Sequence, residues 1–181
     1  GLQARTARMS ISNPPLQQLP SSDSTIRSAF IADPGNVLIA ADYSQIEMRV
    51  LAALSGDENM ISAIKSGMDL HDYTAEKLYG EGFTSKQRKI AKGVGFARVY
   101  GGGAATVSRQ TGADIESVKV ANAAYDSTFP GVKRLANKLQ RDAEFGRKEV
   151  VTPSGRVLPL DRDRLYSATN YLVQSTARDI L

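Results

Sequence analysis

A row of two cations and two aromatic rings constrains the fold of this chain more than any other feature. Arg88, Lys92, Phe96 and Tyr100 recur at every fourth position in a stretch without proline. An α-helix turns by about 400° over four residues, so these side chains drift by about 40° per step and form a stripe roughly 18 Å long. The spacing therefore predicts a helix over about 85–100 with a cationic half and an aromatic half on one face.

The two cations of this stripe predict an anionic ligand. Arg88 and Lys92 stand at i and i+4, where like charges repel and slightly weaken an isolated helix. We therefore expect an anion to lie over the pair. A triphosphate would suit the cations, and a nucleobase would suit the rings of Phe96 and Tyr100.

Composition narrows the class of protein. The 181 residues, of which 41% are hydrophobic, suffice for one or two domains with a hydrophobic core. The chain has no cysteine and one histidine, so a catalytic metal would be a hard ion with oxygen ligands. The net charge of +4 is compatible with a polyanionic partner. No membrane span or signal peptide is recognisable, so we expect a cytoplasmic protein. Nothing in the sequence indicates oligomerisation.

Turn signals and periodicity predict the order of the elements. Apolar segments 29–32 and 37–41 flank Asp33-Pro34-Gly35-Asn36, which predicts a β-hairpin with a buried second strand. Ser44 and Glu47 have the spacing of a capping box before a helix over 46–54. Further helices are expected over about 57–66, 70–79, 85–100, 113–127, 131–145 and 162–181, with a hairpin joining 149–152 to 156–159. Gly93 and Gly95 predict a looser or kinked segment, because each weakens a helix by about 1 kcal/mol relative to alanine.

Asp42 is a candidate metal ligand. It directly follows the predicted buried strand, where rigid backbone would hold its carboxylate at the edge of a cleft. Magnesium in phosphoryl transfer takes one or two carboxylates together with phosphate oxygens and water. An aspartate after a strand is more often a turn former or a helix cap, so Asp42 by itself leaves both interpretations open.

Two segments resemble the signature motifs of the family A DNA polymerases, the DNA polymerase I family. Residues 42–52, Asp-Tyr-Ser-Gln-Ile-Glu-Met-Arg-Val-Leu-Ala, resemble motif A. The helical stripe followed by Gly101 resembles motif B, and the two occur in the family's order. Further similarity covers nearly the whole chain, in residues 6–8, 13–20, 54–59, 69–71 and 173–177. The chain departs from the family at Ala97, where glycine is usual, and at Gly95, where asparagine is common. The arginine run at Arg156 is also shorter than in the family.

The resemblance implies a fold and a reaction. The fold would be α+β and helix-rich, a partial palm of antiparallel strands and helices with the helical fingers of a polymerase right hand. Residues 1–56 would be palm with motif A, 57–146 fingers with motif B, and 147–181 a hairpin and helix returning to the palm. The reaction would be template-directed DNA synthesis, in which a primer 3′-hydroxyl attacks the α-phosphate of a dNTP with two Mg²⁺ ions. Primer-template DNA and dNTP would be the partners.

The resemblance also implies roles for individual residues. Asp42 would be a catalytic ligand of both metal ions, with the Tyr43 backbone carbonyl holding one of them, and Lys92 would be catalytic as well. The residues implied to bind the nucleotide are Gln45, Glu47, His71, Arg88, Lys92 and Phe96. Those implied to touch DNA are Arg8, Gln17, Tyr100, Asn170 and Gln174, with Tyr100 stacking at the templating position.

Several of these residues have a structural alternative. Glu47 is either the capping partner of Ser44 or, as in the family, the steric gate against a ribose 2′-hydroxyl. His71 is either a partly buried histidine bonded to a neighbour or a phosphate contact. Phe96 implies poor use of dideoxynucleotides, since family members with tyrosine at this place accept them readily.

Other functions remain open at this stage. A single-subunit RNA polymerase shares the Asp, Arg, Lys and Tyr-Gly positions, although Glu47 and Phe96 argue against it. A non-catalytic nucleic-acid-binding module would need only the basic face. Motif C, with the second metal-binding aspartate, is absent from the sequence. We therefore expect a fragment whose second carboxylate lies beyond Leu181 and which is inactive in isolation.

Overall fold

Helices dominate the computed structural model of this chain, which describes residues 4–20 and 24–181. The helices of the described residues are α1 (Ser24–Ser28), α2 (Ile46–Ser55), α3 (Glu58–Lys65), α4 (Leu70–Tyr79), α5 (Ser85–Tyr100), α6 (Ala104–Thr111), α7 (Ile115–Thr128), α8 (Pro130–Phe145) and α9 (Ala168–Ile180). Two short strands, β1 (Glu149–Val151) and β2 (Val157–Pro159), pair antiparallel, and 3-10 turns cover Leu16–Gln18 and Leu165–Ser167. The expected helix-rich α+β fold class is confirmed. Within the described ranges, no helix is both long and apolar enough to cross a membrane.

The predicted stripe helix forms as α5. A capping box begins it, in which the Thr84 hydroxyl accepts from the Gln87 backbone N–H and the Gln87 side chain returns to Thr84. Gly101, with φ +71°, ends it in the left-handed conformation. The helix is uninterrupted through Gly93, where a Cβ atom would lie 3.1 Å from Val107 Cγ1 of α6. The small residue therefore lets α6 pack closely against α5.

One hydrophobic core runs through the helical part of the molecule. Leu51, Met60, Val94 and Phe129 are fully buried and belong to a single cluster that joins α2, α3, α5 and the α7–α8 junction. A smaller cluster under the hairpin contains Val150, Leu158 and Leu172. The α4–α5 wall of the site described below rests on the larger core.

A buried carboxylate joins two helices that are distant in sequence. Asp57 caps α3 by accepting from the Met60 backbone N–H at 3.1 Å, and its other oxygen accepts from the Gly131 N–H at 2.7 Å. A Cβ atom at Gly131 would lie 2.9 Å from Asp57 Cβ. The Pro130-Gly131 start of α8 therefore requires glycine for close approach to α3.

The carboxyl-terminal hairpin forms as predicted. Val150 lies opposite Leu158, and the Ser154-Gly155 turn closes with a hydrogen bond from the Gly155 N–H to the Thr152 carbonyl at 2.9 Å. Asp179 of α9 accepts two hydrogen bonds from Arg156, at 2.9 and 2.6 Å, which fastens the hairpin to this helix.

The first predicted hairpin does not form. Its turn is present, since the Asn36 N–H donates to the Asp33 carbonyl at 2.9 Å, but the flanking segments are not strands. Ile31, Val37 and Ile39 are 82%, 80% and 88% exposed, so the second segment is not a buried strand either. The reason is that no strand among the described residues lies beside this segment to pair with its backbone and cover its side chains.

Three local predictions also need correction. The capping box at Ser44 is wrong, because Gln45 (φ 52°) is the residue that precedes α2 and no side chain caps this end. Helix α6 was not expected, since it is short and begins in the Gly101-Gly102-Gly103 run. The last helix begins at Ala168 rather than near 162, because a 3-10 turn precedes it.

Candidate functional site

The cationic and aromatic side chains of α5 form the predicted stripe. The rings of Phe96 and Tyr100 have their centroids 5.9 Å apart, and Lys92 Nζ lies 5.7 Å from the Phe96 centroid. His71 of α4 adds a third ring, 5.5 Å from Phe96. Because α4 and α5 pack side by side, this row forms one continuous wall.

Asp72 of α4 and Asp69, which precedes this helix, both accept hydrogen bonds from the guanidinium of Arg88. Its Nε donates to Asp72 Oδ1, and its Nη2 donates to Asp69 Oδ1 at 3.2 Å. The hydrogen bond that Arg88 donates to Asp72 raises the pKa of Arg88 above its usual value, and the charge of Asp69 adds to the effect. The anion expected over the cationic half of the stripe is therefore present within the protein itself.

Both carboxylate oxygens of Asp69 accept hydrogen bonds. Its Oδ1 accepts from the backbone N–H groups of His71 at 2.9 Å and Asp72 at 3.0 Å, and so caps α4. Its Oδ2 accepts from Gln45 Nε2 at 2.8 Å. Burial opposes ionisation, but the two backbone donors and the positive charge of Arg88 lower the pKa of Asp69. This carboxylate ties the start of α2 to α4 and α5.

His71 is a buried and preferentially neutral imidazole. Only 7% of the residue is exposed. Burial lowers its pKa, Asp69 opposes the shift, and the cations Lys92 and Arg88 reinforce it. The ring therefore adds no positive charge to the wall at neutral pH.

A second link joins the wall to motif A. The Tyr100 hydroxyl donates to Glu47 Oε2, and Arg8 Nη2 lies 3.9 Å from Glu47 Oε1. Burial, together with the neighbouring Glu47, raises the pKa of Tyr100 to about 12, so the phenol stays protonated. Glu47 is thus held by a tyrosine of the stripe rather than by Ser44.

An open groove collects most of the other predicted residues. Gln17 lines it from a segment to which it is bonded, since its amide donates to the Met9 carbonyl at 3.1 Å and accepts from the Ile11 N–H at 3.2 Å. Gln174 lines it from α9 and accepts from the Thr6 hydroxyl at 3.1 Å. The remaining polar residues that line the groove are Arg8, Asp42, Glu47 and Arg178.

Two predicted residues lie at the margin of this groove. Tyr43 follows Asp42 and is 58% exposed. Asn170 precedes Gln174 by one turn of α9, and its Oδ1 is buried without a hydrogen-bond partner in the described part of the chain. Neither lines the groove directly, whereas Asp42 does.

Asp42 fits one ligand of a hard metal ion but not a complete site. The residue is exposed in the groove, and carboxylate and carbonyl oxygens are the donors that Mg²⁺ prefers. Residues 4–20 and 24–181 contain no cluster of three or more carboxylate or histidine side chains that would hold a metal. The donor set therefore supplies Asp42, with the Tyr43 carbonyl as its neighbour.

Three charged residues of the site were not assigned a role from sequence. Asp69 stands in a segment singled out for its resemblance, but only His71 was given a role there. Asp72 precedes Arg88 by sixteen residues, and no periodicity connects the two. Arg178 follows Asn170 and Gln174 at successive intervals of four on α9, so its place in the groove was readable from spacing.

Known DNA polymerases are similar to this chain in sequence. The chain is 52% identical over 181 residues to a DNA polymerase of Mycobacterium phage D29, matching 99% of this chain and 30% of the phage protein. It is 37% identical to DNA polymerase I of Chloroflexus aurantiacus, over 99% of this chain and 21% of that protein. The chain therefore spans less than a third of the length of these relatives.

A solved structure has the same fold. The POL domain of Pol1 from M. smegmatis, in complex with DNA primer-template and dNTP, superposes with a TM-score of 0.79 at 29% identity. The match covers 97% of this chain and 33% of that one. The family model for DNA polymerase family A matches residues 2–181. From this match over almost its entire length, we conclude that the chain belongs to DNA polymerase family A.

Proposed function

We propose that this chain carries the nucleotide-binding part of a DNA-directed DNA polymerase, which transfers nucleotides from dNTP to a primer 3′-hydroxyl. The observation that carries the proposal is the relation between Asp42 and the α5 stripe. Asp42 lines the groove, and the stripe meets the same groove through the hydrogen bond between Tyr100 and Glu47. The M. smegmatis relative, whose structure holds DNA primer-template and dNTP, supports these partners.

The wall of α4 and α5 would bind the incoming nucleotide. Arg88 and Lys92 would bind its triphosphate and offset the charge that develops during transfer. The neutral ring of His71 would contact the phosphates, and Phe96 would pack on the base and sugar. Gln45, which donates to Asp69, would hold the start of α2 against this wall.

Glu47 would act as the gate against a ribose 2′-hydroxyl. Its side chain is only 18% exposed and is held by the Tyr100 hydroxyl. A carboxylate fixed in this way resists displacement by an additional hydroxyl group. Tyr100 would lie at the templating position, at the end of the stripe.

Asp42 and the Tyr43 carbonyl would hold Mg²⁺. Bound there, the metal would lower the pKa of the attacking hydroxyl and stabilise charge on the phosphate oxygens. A two-ion site needs a further carboxylate, which residues 4–20 and 24–181 do not gather into one cluster with Asp42. We accordingly expect the isolated chain to bind ligands without catalysing synthesis.

Polar residues that line the groove or lie beside it would contact the primer-template duplex. Arg8, Gln17 and Gln174 line the groove, and Asn170 lies beside it. Polar side chains that reach minor-groove acceptors can check the shape of a base pair without reading sequence.

In this scheme 1–56 and 147–181 belong to the palm and 57–146 to the fingers. Synthesis would take place in the cytoplasm of a bacterial or phage-infected cell, as the bacterial and phage relatives suggest.

Primer extension by the complete gene product tests the proposal. We expect Asp42→Asn to abolish extension, Lys92→Ala to lower it strongly, and Glu47→Ala to admit ribonucleotides. Lys86→Ala is the matched control, because this exposed lysine lies on α5 away from the stripe. Retained extension by Asp42→Asn would contradict the metal assignment, and a preference of the wild type for ribonucleotides would favour an RNA polymerase.

A further inference from the structure

The two carboxylates that hold Arg88 differ in how firmly they are themselves held. Asp69 has three other donors, namely two backbone N–H groups of α4 and the Gln45 amide. The Asp72 side chain bonds only to Arg88 within the described ranges, and 48% of it is exposed. Asp69 is therefore a fixed anion, whereas Asp72 can leave by rotating its side chain into water.

Asp72 occupies donors that a phosphate would use. The Nε and Nη2 groups of a guanidinium form one edge that binds an oxyanion through two parallel hydrogen bonds. In Arg88 this edge is taken by Asp72 at Nε and by Asp69 at Nη2. A phosphate group reaches this edge only after a carboxylate has left, and Asp72 is the less restrained of the two.

The charges of this region balance before any nucleotide binds. Arg88 and Lys92 contribute two positive charges, Asp69 and Asp72 contribute two negative charges, and burial favours neutral His71. An incoming polyanion therefore meets a compensated site rather than a cationic one. Removing the mobile carboxylate would leave a net positive charge next to the stripe.

We propose that Asp72 is a displaceable counter-ion, which holds Arg88 while the site is empty and is exchanged for a phosphate group when nucleotide binds. The proposal rests on the proposed function in assigning Arg88 to the triphosphate. It goes beyond that function because nucleotide affinity then depends on how strongly Arg88 binds a phosphate group compared with the Asp72 carboxylate. Asp72 is accordingly a residue that sets affinity through Arg88, with no contact of its own to the substrate.

The test is calorimetric titration of the chain with tripolyphosphate and, separately, with a dNTP. We expect Asp72→Asn to bind both about 2- to 5-fold more tightly than the wild type, because a surface charge interaction of this kind corresponds to roughly that factor. Asp72→Ser should give a similar gain. Arg88→Ala should weaken binding, and adding Asp72→Asn to Arg88→Ala should restore little.

Asp126→Asn is the matched control. Asp126 of α7 pairs with Arg98 of α5 at 2.9 Å and with Lys133 at 3.5 Å, away from the stripe. An equal gain in this variant would show a general effect of net charge and overturn the proposal. Weaker binding by Asp72→Asn would also overturn it, by showing that Asp72 positions Arg88 for the ligand. Failure of every variant to bind tripolyphosphate would overturn it as well.

The Arg88 Nε–H resonance supplies a readout that does not depend on affinity. We expect it to be protected from exchange in the free wild type, to shift when tripolyphosphate is added, and to lose protection in Asp72→Ala, which removes the acceptor oxygen. A resonance that stays unchanged on saturation with tripolyphosphate would contradict the exchange of anions. Because neither measurement requires synthesis, loss of the proposed polymerase activity and loss of this exchange are distinguishable.

Discussion

The helical region around α7 and α8 and the segment 29–43 contain similar apolar residues in opposite environments. Phe129 and Val132 are 0% and 2% exposed in the first region, whereas Ile31 and Ile39 are 82% and 88% exposed in the second. Hydrophobicity thus indicates which side chains are suited to burial but does not supply the surface that buries them. The difference shows that one wall of the site stands on a complete core while Asp42 follows an uncovered segment.

Specific polar contacts at the site join the start of α2, just after segment 29–43, to the α4–α5 wall. The Gln45–Asp69 and Tyr100–Glu47 hydrogen bonds hold the start of α2 against the α4–α5 wall. Asp42 lies just before these anchored residues, at the end of the uncovered segment. We therefore expect substitutions in the helical region to change stability and substitutions in segment 29–43 to leave it unchanged.

The largest effect is expected at Phe129. Its ring lies 4.9 Å from that of Tyr125 and 6.1 Å from that of Tyr73, at centroids. Phe129→Ala should lower the free energy of unfolding by about 3–5 kcal/mol, because it leaves a cavity in the core. Urea unfolding followed by circular dichroism measures this change. Phe145→Ala, at a phenylalanine that is 85% exposed, should shift it by less than about 0.5 kcal/mol. Equal losses in both variants would refute the contrast.

A smaller loss is expected at the contact between α3 and α8. Gly131→Ala should cost about 1–3 kcal/mol, since the added methyl group would crowd Asp57. A double-mutant cycle with Asp57→Gly, which removes both the crowded Cβ atom and the carboxylate, identifies the cause. The cost of Gly131→Ala should shrink when Asp57 is absent. A cost that stays the same in both backgrounds would mean that the strain arises elsewhere.

Asp179→Asn should cost about 1–3 kcal/mol at neutral pH, because charge-assisted hydrogen bonds to Arg156 are weakened. Arg156, followed by Ser154 and Thr152, lowers the pKa of Asp179 to about 2. Because the unfolded carboxyl group binds its proton at higher pH, this stabilisation is complete above about pH 4 and is lost as pH falls towards 2. Thermal unfolding between pH 2 and 6 should show this window in the wild type only. The same window in Asp179→Asn would assign it to other carboxylates.

The smallest effect is expected at Ile39. Since this side chain is 88% exposed, Ile39→Ser should change the unfolding free energy by less than about 0.5 kcal/mol. It should also reduce self-association, measured by light scattering, because it interrupts an exposed apolar run. A loss above about 1 kcal/mol would show that segment 29–43 is packed after all.

Local sequence patterns were sufficient to predict a helix where both its apolar periodicity and the residues that begin or end it were present. Helix α5 was predicted from the four-residue spacing, and its end coincides with Gly101. The helices at 46–54 and 70–79 were likewise confirmed, because their apolar spacing and glycine stops are local signals. Helix α6 was missed, since eight residues after a glycine run carry little periodicity.

Patterns that depend on a distant partner were less informative. The segments flanking Asp33-Pro34-Gly35-Asn36 read as a hairpin, but strand pairing needs a neighbour and here none lies beside them in the described residues. The spacing of Ser44 and Glu47 read as a capping box, yet the Tyr100 hydroxyl takes the Glu47 carboxylate. In both cases a contact across the fold decided between two locally reasonable structures.

The amino-acid sequence by itself determined helices α2–α5 and α7–α9, the stripe of Arg88, Lys92, Phe96 and Tyr100, and the family, because these depend on spacing along the chain. Only the tertiary structure decided that Asp69 and Asp72 neutralise Arg88, that His71 is buried beside Phe96, and that segment 29–43 stays exposed. The physical reason is that charge pairing, desolvation and burial depend on which surfaces meet, and neighbours in sequence do not specify that.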